Sequence, residues 1–179
     1  MTARAWIILL VLVLLAAGGA VALRKLGETE EQRRQRLLPQ VRAAFDRVRA
    51  ELSATHGIEL VIVSTRRTED EQAVKVAEGK STTNNSWHLL GRALDVQTAR
   101  KSPTTGKYVA DPNGKDLDSY KRLHEVARRH GFRGIPNGSP FTSEGKKALL
   151  SNGVWDVYHI EYPEGMTFAQ AAAKAAQVA

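Results

Sequence analysis

SWHLLGRALD, residues 86–95, places His88 and Asp95 seven positions apart, with small residues between them that let both side chains face one ion. A second stretch, WDVYHIE at residues 155–161, adds His159. Two imidazoles and a carboxylate are a common ligand set for a catalytic zinc ion, which keeps its fourth position open for water. If the three side chains meet in space, the two stretches form a metal site.

Asp95 needs a charged partner whether or not a metal binds. It lies in the apolar run Ala93–Val96, which predicts a strand, and an unpaired carboxylate in such a place is costly. A metal ion would relieve that cost, and so would a salt bridge to an arginine, Arg92 included. Spacing alone does not decide between a ligand and a salt bridge.

Two further carboxylates flank His159, and either is a candidate base for a water molecule at such a site. Glu161 lies two positions after His159 and shares its face in a regular strand. Asp156 lies three positions before it and faces the opposite side. Regular strand geometry therefore favours Glu161, unless a bulge or the start of the strand redirects Asp156.

Composition limits the chemistry. The 179 residues contain no Cys, so a metal site has to use imidazoles and carboxylates. The net charge of +7 favours an anionic neighbour, which is nucleic acid, a membrane surface or a cell-wall polymer. Aromatic residues make up only 6% of the chain and are not interleaved with basic ones, so nucleic acid is not an expected partner. A monomer is the default expectation.

The amino terminus predicts a membrane segment. Residues 5–23 form an uncharged apolar run without a polar face, close to the roughly 20 residues that cross a bilayer. The run fits a retained signal anchor, a cleaved signal peptide with a small-x-small site at Ala20–Ala22, or a weak anchor that later leaves the membrane. Taken alone, the positive-inside rule would leave the rest of the chain in the cytoplasm, because basic residues follow the run and only Arg4 precedes it.

Residues 1–23 are thus predicted as the membrane segment, 24–38 as a charged connector and 39–179 as one small α+β domain with helices packed on an antiparallel sheet. In the domain, helices are predicted over Pro39–Ala54, Thr68–Glu78, Leu117–His130, Ser143–Leu150 and after Thr167, strands over Ile58–Val63, Ala93–Val96 and Val154–Tyr162, and a hairpin or flap over Thr98–Gly114. His124, in the middle of a predicted helix, is expected to be partly exposed.

Three motifs in order resemble the zinc D,D-/L,D-peptidases of peptidoglycan. STRRTEDEQ (residues 64–72), SWHLLGRALD and WDVYHIE follow the family pattern S-G-x-R-[ST] with a downstream Gln, then S-x-H-x-x-G-x-A-x-D, then [DE]-x-x-H. The first motif departs from the pattern at Thr65-Arg66, where the family has Gly and usually an aromatic residue. Phage L-alanyl-D-glutamate endopeptidase endolysins and vancomycin-resistance-type D-Ala-D-Ala carboxypeptidases are members of this family. The resemblance covers roughly residues 39–162, although the Trp-Gly that usually follows the family's G-F-R element is missing after Arg133.

The resemblance implies a zinc site with His88, Asp95 and His159 as ligands, surrounded by the sheet and its helices. It also implies Asp156 as the general base, a choice that regular strand geometry does not make. The other implied roles are Arg67 for oxyanion stabilisation or substrate binding, Arg66 as a second candidate for substrate binding, and Ser86 and Gln72 as substrate-side or supporting groups.

An Asp before the final x-x-His is typical of the L-Ala–D-Glu endopeptidase branch, whereas the carboxypeptidases usually carry Glu. The resemblance therefore implies an endolysin that cuts the peptidoglycan stem peptide, for cell-wall lysis or remodelling. The alternatives are a D-alanyl-D-alanine carboxypeptidase and a non-catalytic, membrane-anchored module that binds the wall or a metal. Because the wall lies outside the inner membrane, we expect the domain to face the periplasm or to be released into it, against the charge rule.

Overall fold

The computed structural model describes residues 28–141, 147–151 and 153–177. The predicted membrane segment, residues 1–23, lies outside these ranges. Within them, no helix is both long enough and apolar enough to cross a bilayer.

The described residues form an α+β fold with antiparallel sheets, as the sequence predicts. The elements are α1 (Glu30–Gln35), α2 (Pro39–His56), β1 (Ile58–Ser64), α3 (Glu69–Ala77), β2 (Ala93–Lys101), β3 (Tyr108–Ala110), α4 (Leu117–Arg129), β4 (Lys147–Leu150), β5 (Gly153–Asp156), β6 (His159–Glu161) and α5 (Phe168–Ala176).

Strand β2 is the centre of the main sheet. It pairs antiparallel with β1, with β3 in the predicted hairpin, and with β6. The β2–β6 register sets Asp95 directly opposite His159, and a register shift at the end of β1 sets Ser64 opposite Asp95 on the other side. Strand pairing alone therefore brings two of the candidate ligands together.

Helix α2 supplies much of the core. Its predicted apolar positions are fully buried, and they are Val41, Phe45, Val48 and Leu52. Pro39 occupies the first turn, and Gly57 ends the helix in the left-handed conformation with φ of 61°, which favours glycine. The helix packs against α4 and β1, so the sheet is covered on this face.

The segment before α2 packs on the sheet through α1. Arg33 Nη1 donates to the carbonyl of Ile62 in β1 at 2.9 Å, and the Thr65 hydroxyl donates to the carbonyl of Arg33 at 2.9 Å. Leu37 is buried in the main core. These contacts tie the chain ahead of α2 to the strand that leads towards Arg67.

Two predictions for the carboxy-terminal half are wrong. The helix predicted over Ser143–Leu150 is, in its described part, strand β4, in which Ala148 is buried between exposed neighbours as a strand period requires. The single strand predicted over Val154–Tyr162 is two strands in different sheets, because the chain turns at residues 157–158. Strand β5 pairs with β4, and β6 pairs with β2.

Candidate metal centre

Three side chains converge at one end of the main sheet. His88 Nε2 lies 3.2 Å from Asp95 Oδ1 and 3.3 Å from His159 Nδ1, and His159 Nδ1 lies 3.0 Å from the same Asp95 oxygen. His88 arrives from the turn before β2, Asp95 from β2 and His159 from β6. The predicted ligand set is therefore brought together by the fold.

The outer contacts of both imidazoles fix which nitrogen faces the centre. His88 Nδ1 donates to the carbonyl of Thr65 at 2.5 Å, and His159 Nε2 donates to Glu161 Oε1 at 3.0 Å. A neutral imidazole carries one proton, so His88 Nε2 and His159 Nδ1 are left with lone pairs. With both rings neutral, these lone pairs and the Asp95 carboxylate point at one another, an arrangement that a cation stabilises, whether a metal ion or a proton on His159 Nδ1.

The spacing of the three atoms fits zinc. Tetrahedral coordination with bonds of about 2.0–2.1 Å separates neighbouring ligand atoms by about 3.3 Å. The three distances of 3.0, 3.2 and 3.3 Å are close to that value. Each ligand is also held from behind by a carbonyl or a charged group, as metal ligands usually are.

Asp95 offers one oxygen to each of the two partners that the sequence left open. Its Oδ1 faces the two imidazoles, while its Oδ2 accepts from Arg67 Nη2 at 2.5 Å. The salt bridge is made by Arg67 and not by Arg92, which donates to Glu164 at 2.9 Å. One oxygen therefore makes the salt bridge, and the other is directed at the two imidazoles, where it could bind a metal ion.

Burial and charge act differently on the three groups. Burial lowers the pKa of His88 and outweighs the opposing charge of Asp95. Burial would also lower the pKa of His159, but hydrogen bonds to Asp95 and Glu161 outweigh it and raise that pKa to about 9. Burial raises the pKa of Asp95, yet the two imidazoles hold it well below its usual range. Asp95 is thus an anion across the physiological range.

The turn between β5 and β6 determines where Asp156 points. Asp156 ends β5, and its Oδ1 accepts from the backbone N–H of Tyr158 at 3.0 Å, within the turn that leads to His159. The side chain is exposed, but partial desolvation raises its pKa, and the charge of Asp95 raises it further. The regular strand assumed in the sequence argument does not exist, so its objection to Asp156 does not apply.

Glu161 is occupied on both oxygens. Oε1 accepts from His159 Nε2, on the side of the ring away from the other ligands, and Oε2 accepts from Arg133 Nε at 2.8 Å. The residue is only 8% exposed. Burial raises the pKa of Glu161, but His159 and Arg133 outweigh it and lower the pKa overall. Glu161 therefore orients the His159 ring from its outer side.

Replacing Glu161 with Gln is expected to weaken metal binding or activity by about 10–100-fold, the usual cost of altering the partner of a metal-bound imidazole. The amide keeps the shape but removes the charge that increases the basicity of His159. Competition against a chromophoric chelator would measure the zinc dissociation constant. Unchanged zinc affinity together with a complete loss of turnover would contradict this role and make Glu161 the base.

The guanidinium of Arg67 donates hydrogen bonds to three side chains at the centre. Its Nε donates to Ser64 Oγ at 3.3 Å, Nη1 to Gln72 Oε1 at 3.0 Å and Nη2 to Asp95 Oδ2. All three nitrogens thus hold protein groups, and the guanidinium fixes the orientation of the Asp95 carboxylate. Arg66 is exposed, and the contact with Asp95 belongs to Arg67.

Gln72 and Ser86 support the centre through the backbone. The buried Gln72 donates from Nε2 to Ser81 Oγ at 2.8 Å and to the carbonyl of Thr83 at 2.7 Å, so it links Arg67 to the loop that contains these two residues. Ser86 Oγ accepts from the backbone N–H of His88 at 3.3 Å. Gln72 therefore holds the arginine in place, and Ser86 braces the turn that carries a ligand.

His124 is the residue that the sequence argument misjudged. It is 2% exposed, not partly exposed, and its Nε2 donates to the carbonyl of Val157 at 2.9 Å while its Nδ1 accepts from the N–H of Ile135 at 3.1 Å. The ring thus anchors the turn between Asp156 and His159. The sequence signal that could have predicted this burial is the helical spacing of Leu123 and its apolar neighbours, which marks the buried face of α4 next to His124.

Replacing His124 with Phe is expected to lower the free energy of unfolding by about 1–3 kcal/mol, because it leaves the buried carbonyl of Val157 and the N–H of Ile135 without partners. Urea unfolding at pH 7 would measure the change. A partly exposed histidine gives the control: His56→Phe at the end of α2 is expected to change stability much less. Equal losses in the two variants would contradict the anchoring role.

The same residue predicts a pH dependence. Burial lowers the pKa of His124 from 6.5 to about 4. Between pH 6.5 and 4 the unfolded chain binds a proton that the folded chain does not. The contribution of the neutral His124 ring to the free energy of unfolding is therefore fully present above pH 6.5 and is lost as the pH falls towards 4. The stability difference between the wild type and His124→Phe should shrink over that range in urea unfolding. A constant difference would show that His124 does not titrate in this way.

No family model matches the chain. A stretch of 72 residues is 40% identical to the L-alanyl-D-glutamate peptidase of Listeria phage A118, covering 40% of this chain and 26% of the phage protein. The chain therefore matches about a quarter of that relative's length.

Among solved structures, the L-Ala D-Glu endopeptidase ChiX of Serratia marcescens superimposes with a TM-score of 0.50 at 19% identity, covering 79% of this chain and 88% of that one. VanYB in complex with D-alanine-D-alanine gives a TM-score of 0.43 at 17% identity, with coverages of 79% and 78%. The α+β fold is thus one that an L-Ala D-Glu endopeptidase also has. The fold and the 72-residue match confirm the resemblance to the zinc D,D-/L,D-peptidase family that the motifs predict.

Proposed function

We propose that this chain is a zinc-dependent peptidoglycan peptidase that hydrolyses the L-Ala–D-Glu bond of stem peptides, as an endolysin in cell-wall lysis or remodelling. The observation that carries the proposal is the convergence of His88 Nε2, Asp95 Oδ1 and His159 Nδ1. The charges of Asp95 and His159 also act on the pKa of the Asp156 carboxyl. The sequence match to a phage protein named L-alanyl-D-glutamate peptidase favours this bond over others.

The three ligands supply the charge and geometry that the ion needs. Zinc held by two imidazoles and a carboxylate acts as a Lewis acid and lowers the pKa of a water molecule to about 7. Arg67 and Glu161 keep Asp95 and His159 in orientation from behind. The protein's proposed contribution is therefore three donor atoms in fixed positions, which would leave the fourth coordination position of the ion for water.

Asp156 is the proposed general base. Its Oδ1 is held by the Tyr158 N–H, and its raised pKa brings the carboxylate closer to the operating pH, where acid–base groups work best. We propose that it accepts the proton of the attacking water and delivers it to the amine of the departing D-Glu. The exposure of its side chain allows both transfers.

The remaining roles follow the contacts. Arg67 orients Asp95. Its Nη1 and Nη2 each donate one hydrogen bond, and we propose that their remaining protons contact the developing oxyanion, as the family resemblance implies. Gln72 holds Arg67, and Ser86 braces the His88 turn. Arg66 is exposed and stays a candidate for substrate binding.

The test uses the zinc-loaded full-length chain and purified peptidoglycan. We expect new amino termini on D-Glu and no free D-Ala, both measurable by mass spectrometry of the digest. Release of free D-Ala would instead identify a carboxypeptidase. Zinc binding without any cleavage would identify a binding module and overturn the proposed activity.

We also propose that residues 5–23 hold the protein in the inner membrane with residues 39–179 in the periplasm, either permanently or until release. The apolar run and the location of the wall support this placement. Amino-terminal sequencing of protein from membrane and periplasmic fractions would distinguish retention, cleavage and release. A domain that added protease cannot reach in spheroplasts would contradict the placement. A monomer remains the expectation and can be checked by sedimentation of the released form.

A further inference from the structure

An open groove of about 560 Å³ lies beside the metal centre. Arg133 and Trp155 line it together with the segment Pro136–Pro140. This is the segment in which the sequence departs from the family's Trp-Gly pattern, since Arg133 is followed by Gly-Ile-Pro. The groove is therefore lined, at Gly134 and Pro136, by the stretch that departs from the family pattern.

Two contacts join the groove to the metal centre. Trp155 Nε1 donates to the carbonyl of His159 at 2.9 Å, and the two rings lie 5.4 Å apart between centres. Glu161 bridges His159 Nε2 and Arg133 Nε, at 3.0 and 2.8 Å. A peptide that runs from the centre along this groove would therefore pass Arg133.

Arg133 is held in a fixed plane. Its Nε and Nη2 both donate to Glu161 Oε2, and its guanidinium carbon lies 5.8 Å from the Trp155 ring centre and 5.9 Å from that of Trp87. Aromatic rings at this distance stabilise the cation. The side chain is nevertheless 54% exposed, and Nη1 donates to no acceptor in the parts of the chain that the structure covers. A preorganised guanidinium with an unused donor edge is suited to a carboxylate.

We infer that Arg133 binds the free α-carboxylate of the D-Glu residue and so makes the enzyme selective for stem peptides in which this group is not amidated. The inference rests on the proposed function. D-Glu continues the stem through its γ-carboxyl, so its α-carboxylate is the charged group nearest the scissile amide. Arg133 is thus a specificity-determining residue rather than a part of the hydrolytic machinery.

Two synthetic stem peptides test this, one with the free α-carboxylate and one with the α-carboxamide. The zinc-loaded full chain should prefer the acid by roughly 10–100-fold in kcat/KM, the range expected for a hydrogen bond between charged groups. Arg133→Gln should lose that preference through a higher KM for the acid, with little change for the amide. Arg129→Gln, which removes an exposed arginine bonded to Glu51 on α2, should keep it.

A purely structural role would give a different result. If Arg133 served only to hold Glu161, Arg133→Gln would weaken zinc affinity and slow both peptides by the same factor, and the inference would be overturned. Titration calorimetry with Asp156→Asn as the background gives the ratio of the two dissociation constants without turnover. Equal affinity for the two peptides there would overturn the inference even if hydrolysis failed, whereas a retained preference without any cleavage would overturn only the proposed reaction.

Discussion

Removing the metal with a chelator is expected to reduce peptidoglycan hydrolysis by about 10³-fold or more, and added zinc should restore it. The Lewis acid supplies several kcal/mol of transition-state stabilisation, and each 1.4 kcal/mol corresponds to about a tenfold change in rate. His88 Nε2, His159 Nδ1 and Asp95 Oδ1 are electron-pair donors and supply no Lewis acid, so these groups alone do not replace the ion. The release of amino termini, measured alongside elemental analysis for zinc, checks the result.

A ligand variant separates loss of metal from other effects of the chelator. His88→Ala removes one of the three donors and should leave the protein inactive even with excess zinc. His56→Ala, at the end of α2 and outside the site, should behave like the wild type. Because the main core of α2, α4 and the sheet does not include the ligands, the circular dichroism of the chelated protein should change little. Full activity in a sample without zinc would exclude the proposed chemistry.

Replacing Asp156 with Asn is expected to lower kcat by about 10²–10⁴-fold, the usual contribution of a positioned general base. The amide keeps the hydrogen bond from the Tyr158 N–H, so the turn should hold its shape. Zinc affinity should stay close to that of the wild type, because Asp156 is not among the three converging ligands. Rate measurements on a stem peptide, paired with chelator competition, check both expectations.

Two comparisons sharpen the test of Asp156. Glu161→Gln should act mainly on zinc affinity, because Glu161 contacts His159 from the far side. Asp118→Asn, an exposed residue bonded to Arg100, should change neither quantity. Turnover at the wild-type rate in Asp156→Asn would refute the assignment, and loss of zinc from that variant would make Asp156 a fourth ligand.

Local patterns in the sequence determined the elements that depend on local causes. Helix α2 follows from a helical period of apolar residues between Pro39 and Gly57, and the capping boxes at Thr68 and Thr167 are both formed. The identity of the three candidate ligands followed in the same way from residue types and spacing within two short motifs. These features could be predicted because neighbours along the chain decide them.

Tertiary structure alone decided how the ligands are held and which carboxylate is free. The bond from His124 to the carbonyl of Val157 joins residues 33 positions apart, and it secures the turn in which Asp156 accepts from the Tyr158 N–H. Glu161 was the better base on a regular strand, but the fold placed it behind His159. The split into β5 and β6 arises because each half pairs with a different strand, β4 or β2. Such pairings are made between segments that are distant in sequence. The spacing of apolar residues along a segment shows which face of the helix or strand is buried, but it does not show which other segment covers that face.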